Sequence, residues 1–432
     1  MKKRLLIVIS LILAVMSVLG SCSKTPDDST DETTGEPAVL LINNVDIKEY
    51  TLIFNAKRSA DSDYFNDTLM ESYGVELEKS KTAVEGYNIF IGVTGSDATV
   101  NDFYNSIDEG MIGYDGKNVY LLAKDNSMLY TVIDAFFAKY ADGAITVTDN
   151  EKVAVAGDAI KVMSYNVLVN LYYDDAETLP RDITKLAEFI ASEAPDVFGT
   201  QETQSFHKEE ILKAMPDYDY YDGIPLNSSS TNTIFWNSNK FKLVEKGLRY
   251  LTDTPYIESK IPESNSIRGY SFVVLESLTT HNQFMFINTH LTYRNASGAT
   301  DDDTPRYKQA QHLKKFLESE KYKELPIILV GDFNSVPTSN TIGLLGHVER
   351  FDRAESIADK KGDTSGTINS HSGKQHVSMV LDHIFVTSDR IATKYYTTLN
   401  EESKKSYTNP DGTVIERYLS DHMPVIAEII IY

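Results

Sequence analysis

Cysteine is nearly absent from this chain of 432 residues, which contains one, Cys22. A single thiol excludes an internal disulfide. The composition is otherwise typical of a globular protein, with 41% hydrophobic and 24% charged residues. A chain of this length can form two ordinary domains or one large one.

Positive charge is also scarce, because 41 lysines and arginines face 63 aspartates and glutamates, for a formal net charge of −22. Such a field repels phosphate polyanions at long range. It therefore disfavours tight, non-specific nucleic-acid binding unless a cation or a local basic patch reverses the sign. A nuclease is not excluded, since a metal-loaded cleft can make that reversal locally.

The apolar run at the amino terminus, Leu5 to Leu19, is too short to span a bilayer. It follows the basic stretch Lys2 to Arg4, which is the layout of a signal peptide. The sequence Leu19-Gly20-Ser21-Cys22 resembles a bacterial lipobox. This resemblance implies that Cys22 is lipidated and anchors an exported protein to the bacterial cell envelope, at the outer membrane. The alternative is a chance cysteine near a conventional cleavage site.

Composition and turn signals divide the chain into four parts. Residues 1–21 form the signal peptide, and residues 22–37 form a lipid anchor with a polar, flexible tether. Residues 38–150 are expected to form a small α+β accessory domain with a hairpin around Asp115-Gly116 and a helix from Ser127 to Tyr140. No cluster of His, Asp and Glu suggests chemistry in that domain. The motifs that carry chemistry lie between residues 159 and 432.

One of these motifs is the apolar run Ile327 to Val330, which stops at Gly331-Asp332-Phe333-Asn334. The run predicts a strand buried on both faces, with Asp332 and Asn334 at its carboxyl end. Alternation along an extended chain turns both side chains to one side and leaves Phe333 in the core. In isolation the motif is better explained as an Asx turn that caps a strand, and other strand ends with matching groups are needed to indicate a site.

Five further strand ends carry matching polar groups. They are Met163-Ser164-Tyr165-Asn166, Gly199-Thr200-Gln201-Glu202, Asn288-Thr289-His290-Leu291, Leu381-Asp382-His383 and Ser420-Asp421-His422-Met423. Together the six motifs resemble the endonuclease/exonuclease/phosphatase superfamily, which includes deoxyribonuclease I and exonuclease III. The resemblance covers residues 159–432. It implies an α+β fold in which two packed β-sheets flanked by helices form a four-layer sandwich, preceded by the small α+β domain.

The resemblance also assigns roles to residues in these motifs. The implied metal ligands are Glu202, Asn166 and Asp421. The implied catalytic residues are His290, Asp332, Asn334, Asp382 and His422. Arg268 is a candidate phosphate clamp, although an ordinary rim arginine explains it as well. The expected cofactor is Mg²⁺, with Mn²⁺ or Ca²⁺ as alternatives, because several carboxylates in one pocket repel each other unless a divalent cation neutralises them.

These parts predict hydrolysis of a phosphodiester or phosphomonoester by water activated by a His-Asp pair. The substrate stays open among nucleic acid, a phospholipid head group and an inositol phosphate, and the enzyme could be a nuclease specifically. Nucleic acid is expected only as a substrate, the membrane only through the lipid anchor, and no obligate protein partner is predicted. A competing hypothesis is a non-catalytic surface binding protein with a degenerate hydrolase domain.

Overall fold

The structure is a computed structural model that describes residues 40–432 apart from residues 57, 93–97, 108, 142, 149–150, 155–156, 170–182, 224, 228–229, 265, 294–304, 320, 323–324, 349, 370–378 and 409–410. The described residues fall in one compact unit that extends from Val39 to Tyr432. No helix among them is long and apolar enough to cross a membrane. The signal peptide, Cys22 and the tether lie outside the described residues, and the predictions about them stay predictions.

The amino-terminal part contains ten short strands and three α-helices among its described residues. The strands are β1 (Leu41–Ile42), β2 (Val45–Asp46), β3 (Tyr50–Phe54), β4 (Lys79–Ser80), β5 (Tyr87–Ile91), β6 (Gly110–Tyr114), β7 (Val119–Ala123), β8 (Tyr140–Ala141), β9 (Ala144–Ile145) and β10 (Glu151–Val153). The helices are α1 (Ser59–Tyr73), α2 (Ala98–Ser106) and α3 (Leu129–Phe137).

Six of these strands form a sheet in the order β10-β6-β7-β5-β3-β4, and the other four form a small sheet in the order β2-β1-β9-β8. One face of the larger sheet packs against α1 and α3, where Phe65 and Phe136 are buried, and Val100 of α2 packs on the other face. The predicted hairpin at Asp115-Gly116 is confirmed as the connection between β6 and β7. The helix predicted from Ser127 to Tyr140 was too long, because Tyr140 pairs with Ile145 in the hairpin of β8 and β9.

The carboxyl-terminal part is built from longer strands. They are β11 (Asp158–Asn166), β12 (Val197–Thr203), β13 (Tyr218–Tyr221), β14 (Pro225–Asn227), β15 (Ser230–Asn237), β16 (Phe241–Tyr250), β17 (Gly269–Ser277), β18 (Gln283–His290), β19 (Ile327–Asp332), β20 (Phe351–Arg353), β21 (Lys360–Lys361), β22 (Asp382–Thr387), β23 (Ile391–Thr398), β24 (Lys404–Thr408), β25 (Val414–Tyr418) and β26 (Val425–Ile431). The α-helices are α4 (Ile183–Glu193), α5 (Ser205–Ala214), α6 (Pro305–Leu317), α7 (Asn340–Leu345) and α8 (Ala354–Ile357).

Two sheets face each other in this part. The first has the order β13-β15-β12-β11-β26-β23-β21, with β14 paired to β15, and the second has the order β16-β17-β18-β19-β22-β20. Val162 and Val425 of the first sheet meet Phe286 and Val330 of the second in a fully buried core. Helix α4 covers the outer face of the first sheet, and helices α6 and α7 cover that of the second. The predicted four-layer α+β sandwich is confirmed.

The strand β19 is buried along its whole length, as its uninterrupted apolar run predicted. Ile328 and Val330 point into the core between the sheets, whereas Ile327 and Leu329 point toward the helices. Because side chains alternate along a strand, Asp332 points to the same side as Val330. The buried sandwich therefore delivers this carboxylate to the end of the cleft between the two sheets.

Candidate active site

Polar strand ends from both sheets converge at this end of the cleft. Asn166, His290 and Asp382 each lie an even number of positions from a buried core residue of the same strand. Because side chains alternate along a strand, they face the inter-sheet side like Asp332. The strand registers bring three of them side by side, since Asp332 pairs with His290 on one neighbouring strand and with Asp382 on the other.

Asn166 connects the two sheets at this point. Its Nδ2 donates hydrogen bonds to Oδ2 of Asp332 at 3.1 Å and to Oε1 of Glu202 at 3.3 Å. The second carboxylate oxygen of Glu202 accepts the backbone N–H of Val169 at 2.7 Å. Asn166 and Glu202 from the first sheet and Asp332 from the second thus form one hydrogen-bonded group.

His422 and Asp382 form a second buried group. Nδ1 of His422 lies 2.8 Å from Oδ2 of Asp382, and Nε2 lies 3.7 Å from Oδ2 of Asp332. Oγ1 of Thr367 donates to the same Asp382 oxygen at 2.6 Å and accepts the backbone N–H groups of Leu381 at 2.9 Å and Asp382 at 3.1 Å. An imidazole whose Nδ1 is held by an oriented carboxylate presents Nε2 for proton transfer.

His290 and Asn334 lie on the other side of Asp332. Nδ2 of Asn334 donates to the carbonyl of Leu291 at 2.9 Å and contacts Nε2 of His290 at 3.2 Å. Nε2 of His290 is 3.4 Å from Oδ2 of Asp332. The predicted placement of Phe333 in the core is confirmed, and Asn334 adopts a left-handed backbone with φ of 50° that turns its amide toward His290.

Burial and the interactions between charged groups shift the pKa values of the site residues. Burial raises the pKa of Asp332 to about 7, and Asp382 adds to this effect while His422 opposes it. Burial lowers the pKa of His422, but Asp382, Asp332 and Asp421 outweigh it and hold that pKa well above its ordinary value. Burial, assisted by Arg268 and His422, holds the pKa of His290 well below its ordinary value. His290 is therefore neutral beside an imidazolium at neutral pH.

The donor set fits a divalent cation. One oxygen of Asp332, one oxygen of Asp382 and one ring nitrogen of His422 all lie within 4.8 Å of one another, and the two carboxylates are the candidate ligands because the high pKa of His422 keeps its ring protonated. Oδ1 of Asp382 is buried without a hydrogen-bond partner among the described residues. Glu202 joins the group through Asn166. Several buried carboxylate oxygens are the hard donors that Mg²⁺, Mn²⁺ or Ca²⁺ prefer, and such an ion would relieve the repulsion between them.

Asp421 lies at the edge of this arrangement. Its Oδ1 lies 3.3 Å from the Ser420 hydroxyl, which donates its hydrogen to the carbonyl of Asn166 at 2.7 Å, and its side chain is half-buried. It is close enough to raise the pKa of His422, but it is not a member of the group of three described above. The contacts of Asp421 are those of a neighbouring charge.

Arg268 precedes β17 and brings a buried cation to the site. Arg268 is 8% exposed, and its Nε has no hydrogen-bond partner among the described residues. Burial lowers its pKa, while the nearby carboxylates of Glu202 and Asp332 oppose that shift. An arginine stays protonated even so, and its guanidinium can bind an anion in a fork.

Thr367 was not among the residues singled out in the sequence. It lies in no strand, but its backbone N–H donates to the carbonyl of Met379 at 2.9 Å and its carbonyl accepts from the N–H of Met423 at 2.8 Å. A lone threonine 15 residues before Asp382 carries no periodic or motif signal. Only the folded chain brings its hydroxyl to the carboxylate. His383, next to Asp382, is buried as well, and its Nε2 lies 2.8 Å from the carbonyl oxygen of Ser335.

Known proteins share the fold of this chain. A family model described as the Endonuclease/Exonuclease/phosphatase family matches residues 163–422. A family protein from Bacteroides thetaiotaomicron has a similar structure, with a TM-score of 0.57 and 24% identity over 64% of this chain and 99% of that one. A mannosyl-6-phosphatase from Bacteroides thetaiotaomicron VPI-5482 is also similar, with a TM-score of 0.55 and 25% identity over 62% of this chain and 99% of that one.

A curated relative extends the range of similar proteins to nucleases. The chain is 25% identical over 222 residues to a probable CCR4-Not complex 3'-5'-exoribonuclease subunit Ccr4 from Enterocytozoon bieneusi (strain H348). The match spans 41% of this chain and 42% of that protein, so it leaves more than half of the relative unmatched.

Proposed function

Because the chain belongs to the endonuclease/exonuclease/phosphatase family, we propose that it is a metal-dependent hydrolase that cleaves a phosphomonoester or phosphodiester by in-line attack of water. Similar proteins are described as a phosphatase and an exoribonuclease, both of which act on phosphoester bonds. The observation that carries the proposal is the buried pair of His422 and Asp382, 2.8 Å apart, beside a cluster of carboxylates.

The proposed cation is Mg²⁺, held by Glu202 with Asn166 beside it and by the carboxylate of Asp332. When bound, it would supply Lewis-acid stabilisation of the charge on the phosphate oxygens. Two observations support a cation at this point: Oδ1 of Asp382 is buried with no hydrogen-bond partner in the described part of the chain, and the pKa of Asp332 is raised. Asp421 was expected as a third ligand. Its effect on the pKa of His422 and its position outside the group of Asp332, Asp382 and His422 support a different role, that of a charge which tunes His422.

His422 is the proposed acid/base residue. Asp382 accepts its Nδ1–H, and Thr367 holds the accepting oxygen in place, so Nε2 is the atom that exchanges a proton with water. Asp382, Asp332 and Asp421 together keep the pKa of His422 high. Neutralising these carboxylates lowers that pKa toward the range in which imidazole accepts a proton at neutral pH.

The remaining groups orient the substrate phosphate. Arg268 offers a cationic fork whose Nε has no protein partner among the described residues. Asn334 donates one Nδ2–H to the carbonyl of Leu291, and Nδ2 lies 3.2 Å from Nε2 of the neutral His290, so this pair has one further N–H to offer a phosphate oxygen. The site thus offers donors for an anion on one side and an acid/base pair on the other.

A sugar phosphate is the proposed substrate class. The mannosyl-6-phosphatase is matched over almost its whole length, whereas the exoribonuclease is matched over 42% of its length. The net charge of −22 also disfavours a polyanion relative to a small phosphorylated molecule. We further propose that Cys22 anchors the enzyme to the cell envelope, where such a molecule would arrive from outside. Retention of a Cys22→Ser variant in the membrane fraction would contradict the anchor.

The deciding experiment is a substrate panel for the chain from residue 23 onward. The panel contains sugar 6-phosphates, p-nitrophenyl phosphate, bis-p-nitrophenyl phosphate, inositol phosphates, RNA and DNA, each with Mg²⁺, Mn²⁺, Ca²⁺ or EDTA. We expect turnover of a sugar phosphate that requires a cation and falls by several orders of magnitude in His422→Ala. Turnover that survives EDTA, or a His422→Ala variant with the wild-type rate and pH profile, would refute the mechanism. If RNA were the one substrate turned over, nucleic acid would replace sugar phosphate as the proposed substrate class.

A further inference from the structure

Glu202 faces the site against the alternation of its own strand. On β12, Val197 points into the core between the sheets and Phe198 points outward. Continued alternation would turn Gln201 inward and Glu202 outward, away from the site. Yet Oε1 of Glu202 accepts the amide of Asn166 at the inter-sheet cleft. A local departure from regular strand geometry must reverse its direction.

A β-bulge provides that departure. Thr200 pairs with Thr233, but the next pair in the register is Thr203 with Thr231, so β12 contains one extra residue. Glu202 lies within this interval and has a left-handed φ of 59°. A left-handed conformation is strained for a residue other than glycine and persists only where surrounding contacts hold it. Bulges beside active sites commonly redirect a side chain in this way.

Asn288 on the opposite sheet holds the bulge in place. Its Nδ2 donates to the carbonyls of Thr200 and Thr233, both at 2.9 Å, which are the last pair in register before the bulge. Its Oδ1 accepts from Nε2 of Gln201, inside the bulge, at 2.7 Å. One fully buried amide therefore contacts both the bulge and the residue pair that precedes it, from across the cleft.

The opposing strand leaves room for this amide. A Cβ at Gly199 would lie 2.7 Å from Cγ of Asn288, so a larger residue at position 199 would displace the side chain. Asn288 also precedes His290 by two residues on the same face of β18. The amide therefore links the strand that carries His290 to the bulge that carries Glu202.

We propose that Asn288 is a positioning residue that sets the direction of the Glu202 carboxylate, and through it the affinity of the site for a divalent cation. The inference rests on the proposed role of Glu202 in binding that cation. Asn288 itself does not contact the group of Asp332, Asp382 and His422 in the described contacts. It acts through the backbone of residues 200–203.

The test compares Asn288→Ala with a matched control, Asn66→Ala. Asn66 is also a buried asparagine that bonds to backbone, but it lies in α1. Its Nδ2 donates to the carbonyl of Leu77 at 2.9 Å, and its Oδ1 accepts from the N–H of Leu77 at 3.1 Å. Both changes remove buried hydrogen bonds, and only one touches the bulge. Asn288→Ser, which admits water and keeps one donor, is the second variant if Asn288→Ala does not fold.

Two measurements are made on each protein. The first is amide hydrogen exchange of residues 197–203 without added cation, and the second is Mg²⁺ affinity by calorimetry. We expect Asn288→Ala to exchange faster in this segment and to bind Mg²⁺ about 10–100-fold more weakly, the usual effect of removing a residue that orients a metal ligand. Asn66→Ala should leave both values at those of the wild type.

Unchanged exchange in Asn288→Ala, or faster exchange with wild-type Mg²⁺ affinity, would overturn the proposal. An equal loss of affinity in Asn66→Ala would overturn it as well, because the effect would then follow general destabilisation. If the wild-type protein itself binds no divalent cation, the proposed function fails at its metal site. The exchange comparison then still decides whether Asn288 holds the bulge.

Discussion

Thr367→Val tests whether the orientation of Asp382 limits the reaction. Valine keeps the shape of threonine but loses the hydroxyl that donates to Oδ2 of Asp382 at 2.6 Å and accepts two backbone N–H groups. A hydrogen bond to a charged group contributes about 1.5–3 kcal/mol. If that energy serves to hold the carboxylate against His422, its loss lowers kcat by about 10–100-fold.

The assay is steady-state hydrolysis of the best panel substrate at several pH values. KM should change little, because Thr367 is fully buried and its hydroxyl is occupied by Asp382 and two backbone N–H groups. The pH profile should shift, since Asp382 is the nearest anion that holds the pKa of His422 high. Thr367→Ser keeps the hydroxyl and should restore both kcat and the profile. A folded Thr367→Val variant with the wild-type kcat and pH profile would refute the reasoning.

Three further predictions follow from the charges of the site. Glu202→Gln removes one charge at nearly constant shape, so it should weaken Mg²⁺ binding and abolish turnover at low Mg²⁺ concentration. Full activity of this variant at low Mg²⁺ would contradict the assignment of Glu202 as a ligand. Arg268→Lys loses the guanidinium fork and should lower kcat/KM about 10–100-fold, the loss expected for a charge-assisted hydrogen bond; an unchanged value would mark Arg268 as structural. Burial raises the pKa of Asp332 to about 7, so the metal-free protein should lose stability as pH rises from about 4 to about 7. Mg²⁺ should therefore raise Tm more at pH 8 than at pH 5, and equal shifts would oppose this account.

The sequence was most informative where one strand carried both a core pattern and a polar end. Ile328, Val330 and Asp332 share one face of β19, so burial of the first two predicts the direction of the third. The same logic holds for Asp382 before Ile384. In these strands the core residues and the site residues follow the same two-residue alternation. The local sequence pattern was therefore enough to predict which way the site residues point.

The pattern failed where geometry depended on a distant partner. Alternation on β12 would turn Glu202 away from the cleft, and only the bulge reverses it. That bulge is contacted by Asn288, which lies 88 residues further along the chain than Thr200. Thr367 likewise gains its role from Asp382 on β22 and from His422, which lies in the segment before β26. Contacts of this kind leave no periodic trace in a single sequence.

The acidity of the chain and the presence of an anion site are compatible because they act over different distances. At physiological ionic strength the field of surface charges fades over about 8 Å. Arg268 is buried beside Glu202 and Asp332, and within the site its charge acts in a low-dielectric medium that screens it little. A small phosphate group that enters the cleft therefore meets the local donors, whereas a polyanion extends over the acidic surface outside it. Added salt should consequently help an extended nucleic acid to approach this protein more than it helps a sugar phosphate.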